Sequence, residues 1–444
     1  LKNIKPSENE KKRVNSFAEK LVSVAKKVSG LDAVICGSLG KGTWLSGNHD
    51  IDIFILFPKE APREELEKKG LEYGARVCKE MNGKAEIKYA EHPYTHAKIG
   101  GFIVDIVPCY RIHPGEKIIS AVDRSPLHLE FILTNLKDEL KDEALLLKQF
   151  CKGAGAYGSD AKTLGFSGYI CELLILKYNS FENMLKAASE WHLPYSIDIT
   201  GKAVPHHREV FIVIDPTDIH RNAAAAVSSY NIMKFIHHAK KFLRKPSPWY
   251  FLEPKIKPLA PAQIRSLKKR ETYFFAMVMK KPDVIEEVLY QQARRAAARL
   301  YGMLKHNEFV ALRSYEFIGR EIIIMFEIEV QCLPDLKKMV GPPLFARRHV
   351  DEFLATHSSS KFNVYVEGIN LVAEKSREYK TPPALIRCLM KKGSKELADS
   401  GIPNSLIEPF KSARICEGNG FFLLLSDKEF SDFLRRMYFE KIIE

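Results

Sequence analysis

The chain has 444 residues, 45% of them apolar and 28% charged, and its 68 Lys and Arg outweigh 55 Asp and Glu for a formal charge of +13. That length exceeds one hydrophobic core and implies two to four domains, and the ordinary apolar share excludes a chain disordered throughout. The longest apolar runs, such as Ile322–Met325 and Phe421–Leu425, are far short of a bilayer span, and the eight cysteines lie at least twenty residues apart, which excludes a CxxC knuckle.

Widely spaced cysteines fit reduced core thiols, and the opening residues Leu1-Lys2-Asn3-Ile4-Lys5 show no apolar signal core. A cytoplasmic location without membrane contact is therefore expected. The first predicted element is a helix: Ser7-x-x-Glu10 has capping-box form, and Val14, Phe17, Ala18, Leu21, Ala25 and Val28 follow at helical spacing. Strands are predicted near Ala33–Cys36, Asp50–Phe57, Ala85–Ala90 and Phe102–Val107, with a helix near Pro62–Met81. Together these make a small mixed sheet with helices on it, ending near residue 135.

Two helices are predicted next, over 138–152 and 167–190, the second opened by N-cap chemistry at Gly165-Phe166-Ser167-Gly168. A short strand at Phe211–Asp215 and a helix over Arg221–Leu243 follow. Pro246, Pro248, Pro254, Pro258 and Pro261 mark a linker. Beyond it, a strand at Tyr273–Met279 precedes a helix from Asp283 to Lys305 that buries Val288, Leu289, Ala296, Leu300 and Leu304 and turns Arg294, Arg295 and Arg299 outward. Glu321–Val330 sets Phe326, Ile328 and Val330 against Glu327 and Glu329, the alternation of a half-exposed strand. A helix at His349–Thr356 helps complete a second α+β unit. The fold class is α+β, with expected domains at 1–135, 136–250 (mainly helical) and 251–444.

The charge is unevenly placed. Residues 231–281 hold thirteen basic and two acidic residues, or +11, so the rest of the chain carries only +2. Trp249, Tyr250, Phe251, Tyr273, Phe274 and Phe275 are interleaved with them, a composition that suits a phosphate backbone.

The chemistry is written near the N-terminus. Gly37-Ser38 precedes Asp50-Ile51-Asp52 by twelve residues, and Asp105 sits inside Phe102-Ile103-Val104-Asp105-Ile106-Val107. Side chains alternate along a strand, so Asp50 and Asp52 share a face while Ile51, Ile53 and Ile55 take the other. Carboxylates on otherwise apolar strands need a metal, a basic partner or solvent, because burying them alone costs several kcal/mol. Three of them can hold two divalent cations about 4 Å apart, the geometry that activates an attacking oxygen and steadies a leaving phosphate. The Gly-Ser turn supplies backbone N–H groups and a hydroxyl for a triphosphate.

These residues, read in order, resemble the archaeal-type (class I) CCA-adding enzymes, tRNA nucleotidyltransferases of the superfamily that includes poly(A) polymerases and DNA polymerase beta. The resemblance spans the chain and is carried by Cys36-Gly-Ser-Leu-Gly-Lys-Gly-Thr-Trp-Leu45, Asp50-Ile-Asp-Ile-Phe54, Ala90-Glu-His-Pro-Tyr94, Val104-Asp-Ile-Val-Pro-Cys-Tyr110, Ser120-Ala-Val-Asp-Arg-Ser-Pro126, Gly165-Phe-Ser-Gly-Tyr169 and Asp215-Pro-Thr-Asp-Ile-His-Arg-Asn222. It implies a polymerase beta-like nucleotidyltransferase head, a helical central domain and C-terminal α+β RNA-binding domains. The implied reaction is template-independent addition of C, C and A to the 3′ end of tRNA from CTP and ATP, with Mg²⁺ as cofactor.

Carried over residue by residue, the resemblance makes Asp50, Asp52 and Asp105 the metal-binding and catalytic carboxylates. Gly37, Ser38, Lys41, Ser125, His128, Lys148 and Tyr157 meet the nucleotide, mainly its triphosphate. Arg221 reads the base edge, Glu91 and His92 shape the base pocket, and Arg294, Arg295 and Arg299 meet RNA. Lys41 stands where Arg also occurs and lacks the bidentate fork. A poly(A)-type polymerase, a non-catalytic RNA-binding relative and a glycosyltransferase are the alternatives, and a homodimer stays open.

Overall fold

Helix α1 (Glu8–Ser29) starts where Ser7 Oγ accepts the Glu10 N–H at 3.2 Å and stops at Gly30, whose φ of +69° suits a glycine C-cap. Its apolar stripe of Val14, Ala18, Leu21, Ala25 and Val28 is buried. The computed structural model describes residues 1–89, 91–201, 208–357 and 364–440, so Ala90, the last residue of one predicted strand, lies outside the described residues. By packing the described residues divide into two compact units, one within Leu1–Lys255 and one within Ile256–Lys441.

In the first unit, β1 (Asp32–Ile35), α2 (Gly37–Lys41), β2 (Asp50–Phe57), α3 (Arg63–Glu80), β3 (Lys84–Tyr89), β4 (Pro93–Ile99) and β5 (Phe102–Tyr110) build a five-stranded mixed sheet in the order β1-β2-β5-β4-β3. Strands β2 and β5 run parallel at its centre, and the other pairs are antiparallel. Ile51, Ile53, Ile55, Val104 and Ile106 point back onto α1 and α3 and are almost wholly buried, each contributing about 1.5–3 kcal/mol relative to exposure. Gly70 and Gly74 let α3 lie close against the sheet: a Cβ on Gly74 would come within 2.1 Å of Thr95 Oγ1. Strand β4 has no counterpart among the predicted elements. Its inward residues Thr95 and Ala97 are too weakly apolar to make the alternation visible.

The sheet is followed by α4 (Arg124–Asn135), α5 (Asp138–Gly153), α6 (Gly168–Tyr178), α7 (Phe181–Ser189), β6 (Tyr195–Ile197), β7 (Phe211–Asp215), β8 (Asp218–Asn222) and α8 (Ser229–Arg244). Phe150, Phe166, Leu173, Met184, Phe211 and Phe235 fill one core beneath them. The helix expected over 167–190 is two helices, because Asn179 takes a left-handed C-cap (φ +61°) and Ser180 caps the next helix. The helix expected from Arg221 begins eight residues later, at Ser229, capped by Ser228. Asn222 explains the shift: its side chain bonds Val213 N–H (3.0 Å) and Phe211 C=O (2.9 Å), which anchors the strand that carries Arg221.

The second unit contains α9 (Pro261–Lys268), β9 (Tyr273–Lys280), α10 (Glu286–His306), β10 (Ala311–Ile318), β11 (Glu321–Ile328), β12 (Leu336–Pro343), α11 (Arg347–His357), β13 (Tyr365–Glu367), β14 (Asn370–Ser376) and β15 (Arg414–Glu417). Strands β10-β11-β9-β15 form an antiparallel sheet, and β12-β14-β13 a smaller one. Strand β11 is buried along its length and not half-exposed. Glu327, read as its solvent side, is buried because Arg270 (2.6 Å), Thr272 (2.7 Å) and Tyr438 (2.9 Å) all donate to it. Such a carboxylate looks polar in sequence and is core in space. Among the described residues no helix is long and apolar enough to cross a membrane.

Candidate active site

Parallel pairing of β2 with β5 sets Asp52 directly opposite Asp105 and Asp50 opposite Ile103. All three carboxylates therefore rise from one face of the sheet, away from the core that Ile51, Val104 and Ile53 fill. Burial first, then the charges of Asp105 and Asp50, push the Asp52 carboxyl up to about 6, and Lys41 pulls it partly back. Asp105 is held by His96 of β4, whose Nδ1 donates to Oδ1 at 2.5 Å across the β4–β5 pairing.

Above Asp52 lies Gly37. Its φ is +62°, and a Cβ there would fall 2.0 Å from Asp52 Oδ2. Only glycine lets the backbone approach this closely. Ser38 follows on α2, half-buried, and Cys36 N–H bonds Asp52 C=O at 2.8 Å, tying the turn to the strand.

The donor set fits a divalent cation: hard carboxylate oxygens whose mutual repulsion a cation would relieve. Among the described residues no three His, Cys, Asp or Glu side chains already converge into a metal cage.

Lys148, expected to meet the triphosphate, is 1% exposed and joins Lys41 at one acid. Glu172 Oε2 accepts from Lys41 (2.9 Å) and Oε1 from Lys148 (2.7 Å) and Thr43 (2.5 Å). Burial pushes the Glu172 carboxyl up, but Lys148 and Lys41 outweigh it and hold it down at about 2. Tyr157 packs beside them: a Cβ on Gly168 would lie 3.1 Å from Tyr157 Oη and 3.3 Å from Lys148 Cε. Burial pushes the Tyr157 phenol up, so it stays protonated at neutral pH.

A cavity of about 550 Å³ opens beside this cluster, lined by Ala121, Arg124, Ser125, His128, Ser159, Ser167, Tyr169, Glu209 and His220 through Ala223. Ser125, His128 and Arg221 thus share one wall. Asp215, fully buried at the end of β7, organises it. It accepts from His128 Nε2 (2.9 Å), Arg221 Nη1 (2.8 Å), Tyr169 Oη (3.1 Å) and Thr217 Oγ1 (2.8 Å). The His128 ring stacks on Tyr169 with centroids 3.8 Å apart. Burial lowers the His128 imidazole despite Asp215, so it is neutral at pH 7.

Glu91 and His92, expected to shape the base pocket, do not line this cavity. Glu91 accepts from Ser120 Oγ (3.2 Å) and from Ala121 N–H, while His92 is buried near Asp123. Glu91 thereby braces the turn Ala121–Asp123, whose Ala121 lines the cavity.

The expected RNA-facing residues divide. Arg295 is exposed, Arg294 turns to Glu316 (3.1 Å) and Arg299 to the Ser400 carbonyl. Of the interleaved aromatics, Tyr273, Phe274 and Phe275 are core residues of β9, Tyr250 and Phe251 pack on the first unit's core, and Trp249 is 67% exposed. A strand's inward side chains cannot stack on bases.

His96, Glu172, Tyr169 and Asp215 were not among the candidate site residues. Glu172 left a trace in the sequence, as a lone acid inside Cys171-Glu-Leu-Leu-Ile-Leu176, where burial demands a basic partner. His96 left none, because the weakly apolar alternation of β4 hides the strand that carries it.

Family profiles match in succession: "Nucleotidyltransferase domain" over residues 18–128, "tRNA nucleotidyltransferase, second domain" over 142–252 and "CCA-adding enzyme, C-terminal domain" over 270–400. A CCA-adding enzyme of Methanosarcina acetivorans is 38% identical, covering 98% of this chain and 96% of the relative. Those of Methanothermobacter thermautotrophicus (38%, covering 88% and 87%) and Methanocaldococcus jannaschii (37%, covering 85% and 86%) agree. With its nucleotidyltransferase sheet, its acidic face and 37–38% identity to these relatives over 85–98% of its length, the chain belongs to the archaeal CCA-adding enzyme family.

Proposed function

We infer that this chain adds C, C and A in turn to the 3′ end of tRNA, drawing on CTP and ATP without a nucleic-acid template. The observation that carries the reading is the in-register pairing of Asp52 with Asp105 under the bare backbone of Gly37, in a chain of this family. Asp50, Asp52 and Asp105 would hold divalent cations, Mg²⁺ in this proposal, which lower the pKa of the attacking 3′-hydroxyl and neutralise phosphate.

The chain's own residues do the rest. His96 orients Asp105 and so fixes one carboxylate lone pair. The Ser38 hydroxyl and the Lys41 ammonium meet the triphosphate, and their charge and hydrogen bonds favour departure of pyrophosphate. Ser125 and neutral His128 line the cavity that takes the nucleotide, and Arg221, braced by Asp215, reads the base edge. Arg295 and the basic residues of 231–281 meet RNA phosphates, a contact independent of sequence, as a protein serving many tRNAs requires. Eight unpaired cysteines suit a reducing cytoplasm.

The test is stepwise extension of tRNA lacking CCA. CTP alone should add two nucleotides, and ATP should then add one. A long tail from ATP alone would replace this reading with a poly(A)-type activity. Asp105→Ala should lower incorporation by orders of magnitude while tRNA affinity stays within about twofold; retained incorporation removes Asp105 from the site.

A further inference from the structure

The reaction outlined above makes no use of Glu172, although it is one of the most enclosed charges in the first unit. Its side chain and that of Lys148 are each 1% exposed, and Lys41 is 7% exposed. Two cations and one anion leave a single positive charge in a wall with little water, where an added or removed charge acts strongly on a nearby phosphate.

The two lysines are not equivalent. An ammonium has three N–H donors. Those of Lys148 go to Glu172 Oε1 (2.7 Å), Thr43 C=O (2.8 Å) and Thr43 Oγ1 (2.9 Å), which takes up all three. Lys41 donates to Glu172 (2.9 Å) and rests 4.7 Å over the Tyr169 ring, and its other donors have no hydrogen-bond partner among the described residues. Its charge reaches Asp52 on one side and His128 on the other, so it stands between the acidic face and the cavity.

We propose that Glu172 is a positioning residue for the triphosphate, which locks Lys148 into the fold, presents Lys41 to phosphate, and sets that wall at one positive charge. It rests on the reading of Lys41 as a triphosphate contact. A wall of charge +2 would grip both nucleotide and pyrophosphate too tightly for turnover, and a neutral wall would hold the nucleotide weakly. The balance is a property of the trio.

The experiment compares the unchanged chain with Glu172→Gln, Lys148→Met and the double variant, measuring KM for CTP and kcat on truncated tRNA beside the folded fraction by circular dichroism. Glu172→Gln should lower KM about fivefold or more and kcat about tenfold, because the wall rises to +2. Lys148→Met, with a neutral wall, should raise KM about tenfold, and the double variant, back at +1, should return KM to within about threefold of the parent. Should Glu172→Gln fail to fold, Lys148→Met and the double variant decide alone. An unchanged KM in Lys148→Met, a Glu172→Gln that raises KM, or a double variant that recovers nothing would overturn the proposal. An unchanged chain that adds no C overturns the functional reading and this proposal together, whereas an active parent without the KM pattern overturns only the role of Glu172.

Discussion

Gly37 carries two constraints at once, a left-handed φ and contact with the Asp52 carboxylate. Gly37→Ala should therefore strain the turn and push Asp52 aside, cutting kcat/KM by about 100-fold or more while the melting temperature moves only a few degrees. Steady-state kinetics beside thermal denaturation separate the two effects. Glu10 makes a second prediction at this scale. Its carboxylate accepts from Ser46 Oγ (2.8 Å), Gly47 N–H (2.9 Å) and His49 Nε2 (2.8 Å), anchoring the loop that leads into Asp50. Burial raises this carboxyl, but those donors outweigh it and hold it at about 2. A depressed carboxyl stabilises the fold above its unfolded pKa and loses that contribution as pH falls through its folded one. The stability gap between the parent and Glu10→Gln should be on the order of 2–3 kcal/mol at pH 7 and should close between about pH 4.5 and pH 2. Denaturant melts across that window check it; a gap independent of pH would refute it. The capping-box form of Ser7 and Glu10 was visible in sequence, whereas the reach of Glu10 to residues 46–49 depends on how α1 lies on the sheet.

Elements decide what single residues face. Strand periodicity put Asp50 and Asp52 on one side of β2, but their meeting with Asp105 depends on the parallel β2–β5 register, which no local pattern specifies. Arg221 shows the opposite case. The run Ala223-Ala224-Ala225-Ala226 favours helix, yet Asn222 bonds the β7 backbone and the hairpin β7–β8 prevails, so Arg221 stands on a strand beside the cavity. Asp215 joins that hairpin to α4 through His128 and to α6 through Tyr169. Asp215→Asn should destabilise the fold by about 2–4 kcal/mol, since Arg221 and His128 lose their shared acceptor. Urea unfolding followed by tryptophan fluorescence measures the loss, and a change below about 0.5 kcal/mol would show that solvent replaces the carboxylate.

At the scale of the whole molecule, charge and packing tell different things. Thirteen of the 68 basic residues fall within 231–281, a segment that runs from the end of the first packed unit into the second. Its aromatics belong mostly to the two cores, so the interaction with RNA should be electrostatic more than stacking. The dissociation constant for tRNA should rise by about 100-fold or more between 50 and 200 mM salt. A filter-binding titration at several salt concentrations tests this, and a flat profile would exclude a phosphate-dominated interface.

By itself the sequence determined the nucleotidyltransferase fold class, the family, the three acidic positions and the bias toward polyanionic partners. The acidic positions reside in strand alternation and the polyanion bias in summed charge, whereas the fold class and the family rest on the likeness of whole motifs to known sequences. Tertiary structure alone decided which side chain spends its hydrogen bonds on which neighbour. It sent Lys148 to Thr43 and Glu172, His96 to Asp105, Glu327 into the core of β11, and Glu91 and His92 behind the cavity wall. Those outcomes were not legible because a buried polar group takes whatever partner the fold brings within about 3 Å, and that partner lies tens of residues away along the chain.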